Sequence, residues 1–153
     1  MAEGSEVVPA VAASFARQGL MATLGARLVL ASEGRCVIEV RRSDALTQQH
    51  GLFHAGVTSA IADTAAGYAA MTLMAEGASV LTVEFKINLI APADGESLRG
   101  SARVVRSGRT LTTVRASVEA VRGDRVVQCA EFLGTMIAIA SRPELDRDAA
   151  APK

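Results

Sequence analysis

The 153-residue chain lacks tryptophan, and only four Phe and one Tyr represent the other aromatics. A surface that stacks single-stranded bases needs more rings than this, so nucleic acid is not an expected partner. Net charge is missing as well: sixteen Lys and Arg balance sixteen Asp and Glu. No overall field draws the chain to polyanions or to anionic lipid. Cys36 and Cys129 are the only cysteines. Both fall in strand-like segments, and the opening stretch MAEGSEVVPA has no basic region leading into an apolar one. Reduced core thiols in a cytoplasmic protein are the expectation. No His/Cys cluster has zinc-ligand spacing, so no metal is expected.

Half of the residues are apolar, which leaves the core to Val, Leu, Ile, Ala and Met. The length suits one domain spanning 1–153, with a core over about 20–140 and flexible ends at 1–9 and 141–153. From Ala55 to Ala75 the only ionisable Asp, Glu, Lys or Arg is Asp63. The run is long enough to span a bilayer, at ~20 residues. Its Ala, Gly, Ser and Thr content, its central acid and its lack of flanking Lys or Arg instead indicate a helix surrounded by its own protein. A carboxylate in that setting is expensive unless paired, protonated or used. Asp63 is therefore the first candidate for chemistry.

Around this helix the pattern predicts strands. A short helix over 10–20, ending at Gly19, precedes two β-like segments, Ala26–Ala31 and Arg35–Arg41, joined by a turn at Ser32-Glu33-Gly34. A polar loop fills 43–53, and the long helix is expected to stop near Glu76-Gly77. Beyond it the period changes from 3.6 to 2. Thr82, Glu84, Lys86 and Asn88 alternate with Val83, Phe85, Ile87 and Leu89, a half-buried strand halted by Ala91-Pro92. Ser97–Arg106, Thr110–Val121 and Arg125–Ala140 complete a meander of four antiparallel strands, through turns at Ser107-Gly108-Arg109 and Gly123-Asp124. A curved sheet wrapped about the helix would cover it on most sides, an α+β arrangement.

The helix start offers a second candidate. Backbone N–H groups at Ala55 and Gly56 present partial positive charge to an anion or a developing oxyanion. Asp63 lies seven residues beyond Gly56 on the same face, ~10 Å away along the axis. One carbonyl cannot touch both. Two antiparallel helices in a two-fold dimer would set the start of one opposite Asp63 of the other, giving two shared sites.

At these residues a resemblance enters. Gly51-Leu52-Phe53-His54-Ala55-Gly56, continuing to Asp63-Thr64-Ala65-Ala66-Gly67, resembles the hot-dog-fold acyl-CoA thioesterases of the phenylacetic-acid-degradation (PaaI-type) group. Their motif is His-Gly-Gly followed by an acid seven residues after the second glycine. Thr82-Val83-Glu84-Phe85 through Ala91-Pro92 is similar to that family's strand after the helix, and Ser107-Gly108-Arg109-Thr110-Leu111 to its Gly-Arg/Lys-Thr turn. The likeness covers about 20–140. It implies a sheet wrapped round the helix, dimers that often pair into tetramers, and hydrolysis of acyl-CoA without metal or cofactor. By the resemblance Asp63 is the general base or the nucleophile, and Ala55 and Gly56 polarise the thioester carbonyl. His54 orients that turn or binds near the thioester, Gln48 lies near the reacting group, and Thr82 positions the water. Arg109 and Gly108, with Phe53 and Thr64, are the matched positions for binding substrate. Ala55 departs from the family by replacing the first glycine. Alanine keeps the N–H donor, and it is penalised only where φ must be positive.

Other features carry less. His50 reads as an exposed loop residue, and Ser59 lacks the Gly-x-Ser-x-Gly setting of a nucleophile elbow. Arg99, Arg103 and Arg106 read as solvated strand faces. Two alternatives stand beside hydrolysis: a hot-dog hydratase or dehydratase, and a non-catalytic acyl-CoA-binding module. Aromatic and short- or medium-chain acyl groups are equally open.

Overall fold

A computed structural model describes residues 6–140. The expected flexible tail, 141–153, and most of the opening segment before Glu6 lie outside the described residues. Two short helices, α1 (Pro9–Ala16) and α2 (Gly19–Thr23), lead into β1 (Arg27–Ser32) and β2 (Arg35–Arg41). The long helix α3 (Ala55–Met71) follows a loop containing one 3₁₀ turn, Asp44–Leu46, and precedes β3 (Ser79–Leu89), β4 (Ser97–Ser107), β5 (Leu111–Arg122) and β6 (Arg125–Ile139). All six strands form one antiparallel sheet in the order β1-β2-β4-β5-β6-β3, with α3 against one face. This is the α+β hot-dog arrangement.

The central strands bury alternate residues against α3. Along β5 these are Thr112, Val114, Ala116, Val118 and Ala120, and the last four join Ile61, Ala62, Ala65, Ala66 and Ala69 of the helix in one core. Small side chains on both surfaces allow a close approach. At Gly100 of β4 a Cβ would lie 3.2 Å from the Ile61 carbonyl oxygen. Ile38, Val40, Leu98, Phe132 and Met136 close the core, each fully or almost fully buried. Each stabilises the fold by roughly 1.5–3 kcal/mol through loss of water contact.

Four expectations are corrected. Gly19 opens α2 rather than ending the first helix, because the chain turns at Arg17 and Gln18, whose N–H groups bond to Ser14 and Phe15 carbonyls. The long helix ends at Met71, not at Glu76-Gly77. Its cap is Thr72, whose Oγ1 donates to the Ala69 carbonyl and accepts from the Gly34 N–H, both at 2.7 Å, tying the helix end to the β1–β2 turn. The meander holds only for β4-β5-β6. β3 lies beside β6, since the connection 90–96 is too long for a hairpin and passes the helix start, where Phe53 N–H bonds to Ala93 O at 3.1 Å. Finally, β3 is not half-buried. As an edge strand it leaves Leu81, Val83, Phe85 and Leu89 between 42% and 55% exposed.

Cys36 and Cys129 are buried free thiols, as expected. Among the described residues no helix is long and apolar enough to cross a membrane.

Candidate active site

The helix start is built by a histidine and a glycine acting together. His54 is the N-cap of α3, with extended backbone (φ −65°, ψ 140°), and its Nδ1 accepts the Gly56 N–H at 2.8 Å. A Cβ on residue 56 would stand 2.9 Å from that same Nδ1. Glycine is thus needed for the imidazole to close onto the helix, and Nδ1 must be unprotonated to accept. The Gly56 N–H is consequently occupied by the cap. The Ala55 N–H, exposed beside it, has no acceptor among the described residues. Ala55 itself is helical, and the one non-glycine with positive φ among the described residues is Glu33. The departure from glycine at position 55 therefore carries no backbone strain.

The preceding loop is held by its own backbone. His54 N–H bonds to Leu46 O and Gln48 N–H to Leu52 O, each at 2.9 Å. The Gln48 side-chain oxygen accepts the His50 N–H, which turns it toward its own loop. Gln48, Phe53, His54 and Ala55 nevertheless border one cavity of about 290 Å³, with Thr58, Leu89, Pro92 and Cys129 also on its walls.

Asp63 sits elsewhere on α3, half-buried, in a second cavity of about 230 Å³ shared with Thr64, Gly67, Tyr68, Val80, Thr82, Gln18 and Leu20. Thr82 of β3 donates its hydroxyl to Asp63 Oδ1 at 2.8 Å. Burial pushes the Asp63 carboxyl above the ordinary carboxylate range, and the Thr82 hydrogen bond works in the opposite direction. Burial outweighs the hydrogen bond, and the Thr82 hydroxyl fixes the orientation of the carboxyl.

Sequence reasoning missed Gln18 and Tyr68. Tyr68, the single tyrosine, is buried on α3; its hydroxyl accepts from Gln18 Nε2 at 2.8 Å and donates to Ser14 Oγ at 3.1 Å. These bonds fasten the α1–α2 corner beside the Asp63 cavity. A lone buried tyrosine on the helix was the available signal; nothing marked Gln18.

The structure therefore brings the candidates together in two groups. Gln48, Phe53, His54 and Ala55 surround the first cavity, with Gly56 beside them; Asp63, Thr64 and Thr82 surround the second. Gly108 and Arg109 join neither. They form the β4–β5 turn, closed by Gly108 N–H to Leu111 O at 2.9 Å. The cross-strand row Thr82–Met136–Thr112–Ser107 places that turn at the end of the sheet where Thr82 lies, ~14 Å away at three strand spacings. A larger hollow, of about 410 Å³, opens on the sheet among Arg35, Arg103 and Arg115 and includes no candidate residue. Among the described residues no group of His, Cys, Asp or Glu could hold a metal ion.

Residues 50–127, from the loop before α3 to β6, match the family described as the Thioesterase superfamily. A thioesterase family protein from Silicibacter pomeroyi is 47% identical, covering 86% of this chain and 96% of that one, with a TM-score of 0.84. The chain belongs to the thioesterase superfamily. Among curated proteins nothing matches it. Two more distant structures share the fold. The PaaI protein of E. coli, from the phenylacetic acid degradation operon, is 21% identical, with coverage of 85% and 91% and a TM-score of 0.75. A Bacillus halodurans protein solved with CoA is 23% identical, with coverage of 85% and 83% and a TM-score of 0.70. As a member of this superfamily the chain is a thioester hydrolase.

Proposed function

We propose that this thioesterase hydrolyses an acyl-CoA, aromatic or of short to medium chain, to the free acid and CoA, in sites shared by two subunits. The observation that carries the reading is Asp63: the one acid of the long helix, desolvated, in its own cavity, with Thr82 fixing one oxygen. As general base it takes a proton from water while the oxygen adds to the thioester carbon. The C–S bond then breaks and the thiolate of CoA recovers the proton. As nucleophile its oxygen adds to the thioester carbon, the C–S bond breaks to release the thiolate of CoA, and water then opens the acyl anhydride to return the carboxylate and the free acid. Both routes use the same carboxylate.

The carbonyl oxygen needs a donor, and the helix start supplies one in the Ala55 N–H, beside the Gly56 N–H that holds the His54 cap. The His54 cap leaves its Nε2 to carry the proton and face the ligand. Since ~10 Å of helix separates this donor from Asp63, the complementary half comes from a second copy. β3 supports that assembly. Among the described residues its outer edge is unpaired, and Leu81, Val83, Phe85 and Leu89 are exposed along it, a pattern that invites pairing with a symmetry mate. A dimer, with a tetramer as its further association, is the proposed assembly; Arg109 reaches the phosphates of CoA at the rim, and the whole chain, 1–153, is one domain acting in the cytoplasm. The CoA held by the Bacillus halodurans neighbour is consistent with this ligand class.

The test is free-thiol release from a panel of aromatic and aliphatic acyl-CoAs by the wild type and Asp63→Asn. Turnover of at least one thioester, reduced ~10²-fold or more in the variant, is expected. Equal turnover by the folded variant would remove Asp63 from the mechanism. Tight binding without turnover would favour the binding module.

A further inference from the structure

Thr58 presents a group that the reaction described above does not use. The residue is 1% exposed, one turn inside the start of α3, and its Oγ1 is buried without a hydrogen-bond partner among the described residues. A helical threonine ordinarily returns its hydroxyl to the carbonyl four residues back. Here that carbonyl, of His54, already accepts the N–H groups of Val57 at 3.0 Å and of Thr58 itself at 3.3 Å. The hydroxyl makes no bond to it. What adjoins Thr58 is the cavity of about 290 Å³ at the helix start.

The walls around it make the hydroxyl conspicuous. Phe53, Leu89, Ala91 and Pro92 offer no side-chain polar atom, and the Cys129 thiol is committed to Val118 O at 3.3 Å. Gln48 and His54 lie nearer solvent. A buried, unpaired hydroxyl lowers the stability of the empty protein, and a valine of the same shape would relieve that loss. Retaining threonine there makes physical sense if the partner arrives with the ligand.

We propose that the Thr58 hydroxyl donates a hydrogen bond to an oxygen of the bound acyl-CoA, one turn deeper than the helix-start N–H that meets the thioester carbonyl. The acceptor is either an oxygen substituent of the acyl group or an amide carbonyl of the pantetheine arm. Both are uncharged oxygens that a single hydroxyl can satisfy in an apolar wall. This assignment rests on the thioesterase reading and adds a substrate-binding residue to it.

The experiment compares the wild type, Thr58→Val and Thr58→Ser by thermal denaturation with and without CoA, and by thiol release from acyl-CoA pairs differing by one acyl hydroxyl. Thr58→Val is expected to melt higher than the wild type when empty and to lose about tenfold in kcat/KM, mostly in KM, while Thr58→Ser keeps wild-type turnover. A loss confined to the hydroxylated acyl group assigns the bond to that group. A uniform loss, with a weaker CoA-induced rise in Tm, assigns it to pantetheine. A lower Tm for the empty Thr58→Val, or unchanged kcat/KM on every substrate, overturns the proposal. Absence of turnover by the wild type would instead defeat the hydrolase reading, and the two failures are separate.

Discussion

Thr82 donates its hydroxyl to Asp63 Oδ1 at 2.8 Å, joining the edge strand β3 to the central helix. The same hydroxyl lies 3.4 Å from Met136 Sδ, a much weaker acceptor, so its single proton goes to the carboxylate. Each residue limits the other: the threonine fixes which oxygen of Asp63 remains free, and burial decides how basic that oxygen is.

Removing this hydroxyl should shift the pH dependence of the reaction. Burial raises the Asp63 pKa and the Thr82 bond lowers it, so Thr82→Val leaves only the raising influence. The acid limb of kcat/KM is expected to move to higher pH in Thr82→Val, with activity at neutral pH reduced about tenfold. A pH–rate profile of both proteins checks this; coincident acid limbs would detach Thr82 from the acid.

The raised pKa also has a consequence for stability. The folded-state value of Asp63 lies above the unfolded one, so the fold favours the protonated acid. That favourable contribution is fully present below the unfolded pKa and is lost as pH rises through the folded pKa. Asp63→Asn, which cannot ionise, should therefore melt above the wild type at neutral pH, and the gap should close in acid. Thermal melts across that range read the difference directly.

Gly56→Ala tests the cap. Its Cβ would meet His54 Nδ1 at 2.9 Å, so the imidazole must leave. Loss of the cap costs about 1 kcal/mol, partly offset by the better helix propensity of alanine. Activity should fall with the displaced histidine, and His54→Ala in the same background should add little further loss. Full additivity of the two changes in kcat/KM would argue that they act separately.

Much of this was legible in the residues, and the exceptions have physical causes. The period-2 stretches with turns at Ser107-Gly108-Arg109 and Gly123-Asp124 led directly to β4, β5 and β6, because local pattern and short connections decide them. The place of β3 did not follow, since it depends on how 90–96 crosses the helix start, a long-range contact at Ala93. The helix end was misplaced because the apolar run continues to Ala75 while a single hydroxyl, on Thr72, terminates the helix through the distant Gly34. His54, Gly56 and Asp63 stood out as types and spacing. That the Gly56 N–H is occupied, and that Tyr68 and Gln18 flank the acid, depends on side-chain geometry which spacing does not encode.

Gly67 controls the room beside Asp63. A Cβ there would find nothing nearer than Val80 Cγ1 at 3.8 Å, an ordinary contact. Gly67→Ala should therefore stabilise the protein by up to about 1 kcal/mol through helix propensity. It should also narrow the cavity by one methyl, lowering kcat/KM for the bulkiest accepted acyl group more than for the smallest. A chemical denaturation curve and a two-substrate comparison would show whether stability and selectivity move together.

The central claim is that one catalytic site takes Asp63 from one subunit and the helix start from the other. Subunit mixing tests it most directly: refold Asp63→Asn together with Gly56→Val, each nearly inactive alone, and follow thiol release. Half of randomly paired dimers are mixed and carry one intact site of two, so recovery to roughly a quarter of wild-type activity is expected. Activity that stays at the level of the two parents, in mixtures shown to contain mixed dimers, would contradict a shared site.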